Sequence, residues 1–259
     1  MNGKKLYDVF QFIFPFIVVG IIWEIIADLK IVVLLPSPYK LIIRFYDLSL
    51  HKHILEKHLY YSFYRLLIGY LLAALFGIAV GALIGIKKIV SDIFSPILGL
   101  LISIPTIAWV PVLLITLGLG DKTVIVAIFL GGFFEVAYST INGIRMVDKN
   151  LVNAARIMGA NRLKTFFHVL LPGAMVSIVP GLRLAIGYSW RALVGAEMLA
   201  AMVKWGIGKM IYEARFWNDI ATMFLGLVVI GIMGMLLDKF LMGYIEKITI
   251  ERWGMVKKR

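Results

Sequence analysis

The sequence predicts an all-α protein, a polytopic membrane helical bundle of about six transmembrane helices with both termini on the cytoplasmic side. Three observations carry this. Of the 259 residues 61% are hydrophobic and 16% charged, with a mean hydropathy of +0.92; a soluble domain carries about a quarter charged residues. The apolar residues come in uncharged blocks, several long enough to cross a bilayer, which takes about 20 helical residues. The formal charge of +12 sits on Lys and Arg that flank those blocks. That pattern orients membrane helices; it is not the stripe that grips nucleic acid, and no nucleic-acid partner is expected.

Lys4 and Lys5 ahead of residues 9–26 imitate a signal peptide. The run is long enough to span and no small-residue cleavage site comes cleanly after it, so a retained first helix is expected over 9–27. Leu35-Pro36-Ser37-Pro38 makes a stiff exit, and 39–50 reads as an amphipathic stretch lying at the surface. Residues 66–86 form the cleanest span, with no charge between Arg65 and Lys87. Its stripe of Gly69, Ala73, Gly77, Gly81 and Gly85 lets a second helix approach backbone to backbone.

Residues 93–120 are uncharged but too long for one straight span, and Pro96, Pro105 and Pro111 interrupt them. Proline removes a backbone donor and clashes with the preceding turn, so a kinked or broken helix is expected. Irregular backbone at bilayer depth survives only inside protein or along a wet cavity. Ser103, Pro105 and Thr106 are therefore pathway candidates, with a kink absorbed by packing as the alternative. Further spans are expected over 123–144, carrying Glu135, over 173–199, carrying Arg183, Arg191 and Glu197, and over 220–237. Tyr244, Arg252 and Trp253 read as an anchor at the inner interface. With the termini inside, the inner loops hold more of the chain's Lys and Arg than the outer ones, which favours this orientation.

Ions cost about 2.5–3.5 kcal/mol each at the centre of a spanning helix. Glu135, Arg183 and Arg191 should therefore face protein or water. Arg183, Gly187 and Arg191 fall on one helical face and could guide an anion; alternatively the arginines pair with Glu135, Glu197 or helix-end carbonyls. Gly118-Leu119-Gly120-Asp121-Lys122-Thr123 approaches a phosphate loop but has its Gly and Lys in the wrong places, and reads as a turn. No ATP site is visible. His51, His53 and His58 do not stack on one helical face and no Cys joins them, so they read as solvated surface and no metal site is expected. No catalytic constellation is visible.

A polar island, about residues 146–172, separates two of the spans. Asp148 can cap a first short helix, in which Leu151, Val152, Ala155 and Met158 share a face. Gly159 supplies a turn, Asn161 caps a second helix, and Pro172 marks re-entry into the bilayer. Arg145, Lys149, Arg156, Arg162 and Lys164 surround this knob, which suits docking onto another protein.

The island resembles the "EAA" loop of ABC importer permeases: Glu-Ala-Ala, three residues, Gly, nine residues, Ile-x-Leu-Pro. Here Ala154, Ala155, Gly159, Leu171 and Pro172 match, while Asn153 replaces Glu and Val169 replaces Ile. Leu35-Pro36-Ser37-Pro38, Ser62-x2-Arg65-x3-Gly69, Ile104-Pro105-x2-Ala108-x2-Pro111, Gly181-Leu182-Arg183, Ala196-Glu197 and Trp253 are similar to the nitrate/sulfonate/taurine branch. The resemblance implies one importer transmembrane domain over 1–259, a multi-pass protein of the cell membrane. It implies no cofactor in this chain, ATP and Mg being bound by two cytoplasmic ATPase partners. A second permease copy, most simply a homodimer, and an extracytoplasmic substrate-binding protein complete the assembly. Asn153, Ala154, Ala155, Arg156, Gly159, Ala160, Asn161, Leu171 and Pro172 would form the ATPase-coupling element, and Asn153 would make neutral contacts where Glu makes charged ones. The implied cargo is a nitrate-, sulfonate- or taurine-like anion, with a thiamine precursor or another small organic molecule as alternative. An ion-gradient-driven secondary transporter is the competing class; it would want half-repeats and several buried carboxylates, of which only Glu135 and Glu197 are candidates.

Overall fold

A computed structural model describes residues 3–32, 34–199 and 203–243. The expected anchor at Tyr244, Arg252 and Trp253 lies outside the described residues. Among the described residues eleven α-helices succeed one another along the chain, and no strand occurs.

Helix α1 (Gly3–Asp28) runs through Pro15 without a break. Its last turns are tied to the Pro36–Tyr39 segment. Trp23 Nε1 donates to the Pro36 carbonyl at 3.0 Å, and Glu24 accepts from the Tyr39 N–H at 3.3 Å. Helix α2 (Pro38–Tyr46) has Pro38 at its first turn and Ser37 as cap. The amphipathic expectation for this stretch holds: Leu41 and Leu48 enter the core while Ile42 and Ile43 stay exposed. Arg44 fastens α2 to the start of the last span, donating to Thr222 Oγ1 at 2.7 Å and pairing with Asp219.

The second span begins earlier than the hydropathy suggests. Helix α3 (Ile54–Gly85) is continuous through Arg65, which the sequence marks as a boundary. The helix continues because the Arg65 charge is met inside the protein by Glu197. Helix α4 (Lys88–Ser103) ends at an extended Ile104, and a 3₁₀ turn (Thr106–Trp109) leads into α5 (Val110–Leu117). The two limbs meet at 89°, so the proline-rich run is a broken helix, as expected. Gly118 and Gly120, at φ +80° and +125°, turn the chain into α6 (Asp121–Met146). The island contributes two short helices, α7 (Lys149–Ile157) and α8 (Arg162–Thr165). After it come α9 (Leu171–Leu199), α10 (Ile207–Phe216) and α11 (Ile220–Leu236). Four stretches, Ile54–Gly85, Asp121–Met146, Arg162–Leu199 and Ile220–Lys239, are long and apolar enough to cross a membrane, and the bent α4–α5 pair makes a fifth.

The centre is a three-helix stack of α3, α6 and α9. A Cβ on Gly69 would lie 2.6 Å from Ile128 Cγ2, one on Gly77 2.7 Å from Val136 Cβ, and one on Gly81 2.5 Å from the Ala137 carbonyl. The glycine stripe is thus a backbone-contact seam. Its register rises together in both helices, so α3 and α6 run parallel. The α4–α5 pair therefore returns the chain from one end of the bundle to the other. Helix α9 runs antiparallel to α6, with Gly132 against Ser189 and Gly143 against Ala174.

Candidate functional site

The island folds as the sequence predicts in outline. Helix α7 is capped by Asp148, which accepts the Asn150 N–H at 2.8 Å. Gly159 turns the chain at φ +83°, a backbone that side-chain-bearing residues avoid. The N–H groups of Gly159 and Ala160 close the turn on the Arg156 and Ala155 carbonyls, each at 3.0 Å. Asn161 caps the short α8, accepting from the Lys164 N–H at 2.8 Å. A π-helical turn (Phe166–Leu170) then feeds α9, with Leu171 and Pro172 in its first turn. The shared face expected for α7 is divided: Ala155 is buried and Val152 half-buried, but Leu151 and Met158 are exposed, Met158 by 80%, and Ile157 beside them by 87%. Asn153, Ala154 and Arg156 are exposed as well. A capped finger with bare apolar residues projects from one end of the bundle.

The pathway candidates gather around the elbow and α9. Glu135 and Thr106 line one small hollow together with Trp109, Phe134 and Tyr188. Glu135 accepts a hydrogen bond from Ser139 Oγ at 3.1 Å. Ser103 and Pro105 lie at the break but outside this hollow, and Ser103 Oγ donates back to the Gly99 carbonyl at 2.9 Å. Arg183, Gly187 and Arg191 line a second, larger concavity of about 500 Å³ against α11. Tyr188 borders both. The two arginines differ. Arg183 makes two charge-assisted bonds to Asp238, Nε to Oδ1 at 2.7 Å and Nη2 to Oδ2 at 3.0 Å. The pairing expected with Glu135 or Glu197 is therefore replaced by one with Asp238, which the end of α11 carries to the same level. Arg191 lies over the Tyr188 ring at 5.7 Å and has no carboxylate partner among the described residues.

A buried polar cluster at the opposite end of the bundle from the finger is not predicted by the sequence pattern. Arg65 on α3 is 1% exposed and Glu197 on α9 is 0% exposed, with Arg65 Nη1 donating to Glu197 Oε1 at 2.6 Å. Arg65 also reaches the Trp205 carbonyl at 2.7 Å and Asp121 at 2.9 Å. Ser62 Oγ lies 2.9 Å from both Glu197 oxygens and accepts the Ile207 N–H, and Glu197 accepts the Gly208 N–H at 3.0 Å. His58 belongs here rather than on solvated surface. It is 3% exposed, with Nδ1 3.0 Å from Gly206 N and its ring edge-on to Trp205. His51 and His53 are exposed as expected. A Cβ on Gly206 would touch the Glu197 carboxylate at 2.5 Å, which reserves that position for glycine. The cluster locks the 203–208 segment and the start of α6 onto α3 and α9. A signal was present in the sequence: an Arg inside one helix and a Glu inside another are each too costly alone at bilayer depth.

Among the described residues, an all-helical bundle with several helices apolar enough to span and a projecting capped finger defines the class of a membrane-embedded subunit. The chain belongs to the family described as "Binding-protein-dependent transport system inner membrane component", whose model matches residues 73–249. It is 33% identical over 241 residues, 92% of this chain and 86% of the other, to the Bacillus subtilis (strain 168) permease protein SsuC, which its name assigns to aliphatic sulfonates transport. It is 34% identical over 224 residues to the nitrate import permease protein NrtB of Synechocystis sp., covering 83% of this chain and 80% of that one. With the taurine transport system permease protein TauC of Escherichia coli (strain K12) it shares 31% over 234 residues, 88% of this chain and 84% of TauC. Among solved structures, inward-facing conformations of the MetNI methionine ABC transporter share the fold, with a TM-score of 0.61 at 21% identity over 74% of this chain and 94% of that one. The protein is thus a membrane permease subunit of a binding-protein-dependent ABC importer, from a family of transport subunits rather than catalytic ones.

Proposed function

We propose that this chain, as one transmembrane domain, lines the path by which a small anion enters the cell, driven by a separate ATPase that grips the 146–172 finger. The observation that carries the reading is the finger itself: two capped helices about a left-handed Gly159, presenting exposed Leu151, Ile157 and Met158. Bare apolar residues of this kind on a polar loop mark a protein contact. Ala154 and Ala155 are small enough for the finger to enter a cleft, and Arg156, Ala160 and Asn161 shape its rim. Leu171 and Pro172 join it to α9, so a push on the finger is carried into the α3–α6–α9 stack, which moves as one body. Asn153 contributes a neutral hydrogen bond at most, weaker than a carboxylate would give.

In this reading two permease copies, most simply identical, face each other across the pathway. Two cytoplasmic ATPases bind ATP and Mg, and an external binding protein delivers cargo. ATP binding closes the ATPase pair, the finger transmits the closure, and access alternates. The finger is cytoplasmic and both termini are inside. Helix α1 supplies the sixth crossing, and its last turn lies beside the start of α11, with Trp23 and Phe224 at 6.1 Å. Cargo passes the elbow at Ser103, Pro105 and Thr106 and the hollows that hold Glu135, Arg183 and Arg191. The relatives' names support a sulfonate, taurine or nitrate cargo, and Arg191, with no carboxylate partner among the described residues, suits an oxyanion.

The test is co-purification. Wild-type permease should bring its ATPase with it, and Ala155→Glu or Gly159→Val should lose it while the permease stays folded. An undiminished complex in both variants would sink the proposal.

A further inference from the structure

The finger also encloses a groove outside the pathway, which shares only Arg156 with the docking tip. Its floor is one face of α3, where Ala79, Ala82, Leu83 and Ile86 recur at helical steps; its wall is the π-helical turn with Phe166 and Phe167. The hollow measures about 600 Å³. The opposite face of α3, with Gly77 and Gly81, is pressed onto α6; Ala82 at the inner edge of the floor is buried against Ile144 and Ala174, while Ala79, Leu83 and Ile86 look away from the bundle core. Leu83 and Ile86 are exposed and occupy the last turn of the span, directly before Lys87 and Lys88. This is the level where hydrocarbon gives way to headgroups. At the rim stand Arg156 and Arg162, both exposed and neither paired with a carboxylate among the described residues.

We propose that this groove holds an anionic phospholipid, its acyl chain along the α3 floor and its phosphate between the two guanidiniums. The chemistry is complementary on both counts. An apolar trough open to the bilayer at this depth is covered by lipid tails. Two arginines at headgroup level without carboxylate partners select a negative phosphate, which their forked donors bind better than an ammonium would. The lipid then wedges the finger's second helix against α3, so the finger's posture depends on the charge of the surrounding leaflet. The inference rests on the membrane placement in the proposed function and on nothing about cargo. The competing occupant is an acidic segment of the ATPase.

The test uses the complete importer, permease with ATPase and binding protein, in nanodiscs of equal parts phosphatidylglycerol and phosphatidylcholine. Native mass spectrometry reads the retained lipid, and a phosphatidylglycerol with a photoreactive acyl chain reads its position. Wild type should retain phosphatidylglycerol preferentially and crosslink at Leu83 or Phe167. The double variant Arg156→Gln/Arg162→Gln should lower the preference by about tenfold or more, since each guanidinium near the surface contributes about fivefold. Ala79→Trp, which fills the trough and leaves both arginines and the docking tip in place, should abolish the crosslink with the ATPase still bound. No preference in wild type, or retention unchanged in both variants, would overturn the proposal. So would a groove that is crosslinked only before the ATPase is added. Loss of the ATPase from wild type would instead count against the docking role, and the lipid readouts would still decide the groove.

Discussion

Arg65 and Glu197 meet at 2.6 Å in the interior, 132 residues apart in sequence, and join the second span to the end of α9. Each ion alone would be prohibitive there. Together, with Ser62, Asp121 and the backbone of 205–208 completing their hydrogen bonds, they are satisfied. Removing one partner of a buried pair leaves the other uncompensated and costs about 3–5 kcal/mol. Glu197→Ala and Arg65→Ala should each lower the melting temperature of the purified permease steeply. The double variant Arg65→Met/Glu197→Met should be far milder than the sum. Additive losses would show that the two residues act independently.

The seam between α3 and α6 makes a second prediction. Gly81→Val must displace the Ala137 backbone, whereas Gly99 has nothing within 4 Å of a Cβ. Overpacking a tight core typically costs about 1–3 kcal/mol. Gly81→Val should therefore destabilise the permease markedly and Gly99→Ala hardly at all, as read by thermal unfolding in detergent. Equal melting temperatures would contradict the seam.

Arg183 and Arg191 should separate in transport assays. Arg183 is neutralised by Asp238, so the exchange Arg183→Asp/Asp238→Arg should recover much of the uptake that either single change removes. Arg191→Gln offers no such exchange and should cut uptake about tenfold or more, while ATPase co-purification stays intact. Unimpaired uptake in Arg191→Gln would remove that side chain from the path.

Acid should loosen α2. Burial pushes the Asp219 carboxyl up, but bonds from Thr222 and the Arg44 guanidinium outweigh it and hold the group below the usual aspartate range. A carboxylate lowered in the folded state contributes stability above its unfolded pKa and loses it as pH falls through the folded value. Hydrogen exchange over residues 38–46, taken relative to the intrinsic amide rate at each pH, should stay slow at neutral pH and quicken once pH drops below the ordinary aspartate value. In Asp219→Asn it should already be faster at neutral pH and lose that acid dependence. A pH response identical to wild type would contradict the assignment.

Much of this fold was legible because bilayers impose length and charge rules on single segments. The spans over α6, α9 and α11, the break at Pro105, the seam glycines and both finger caps are local features, each encoded within a few turns. What escaped was pairing between segments. Arg65 looked like a boundary charge because its partners lie 56 and 132 residues away. His58 looked solvated because the Gly206 backbone and the Trp205 ring that enclose it are 148 and 147 residues distant. The Asp238 partner of Arg183 was missed for the same reason, since it sits just where the last apolar run gives way to charge. The finger's exposed Met158 and the groove beside α3 depend on how two segments are juxtaposed, which no window of sequence reports.

Three helices are in contact along seams where not even a methyl group fits, at Gly69, Gly77 and Gly81 on one side and at Gly132 and Gly143 on the other. Surfaces meshed so closely resist sliding, because every step would drive backbone into backbone. Whatever rearrangement opens the route to one side and then the other must spare this keel. It falls instead to the hinged parts around it, the right-angled α4–α5 limb and the outer helices.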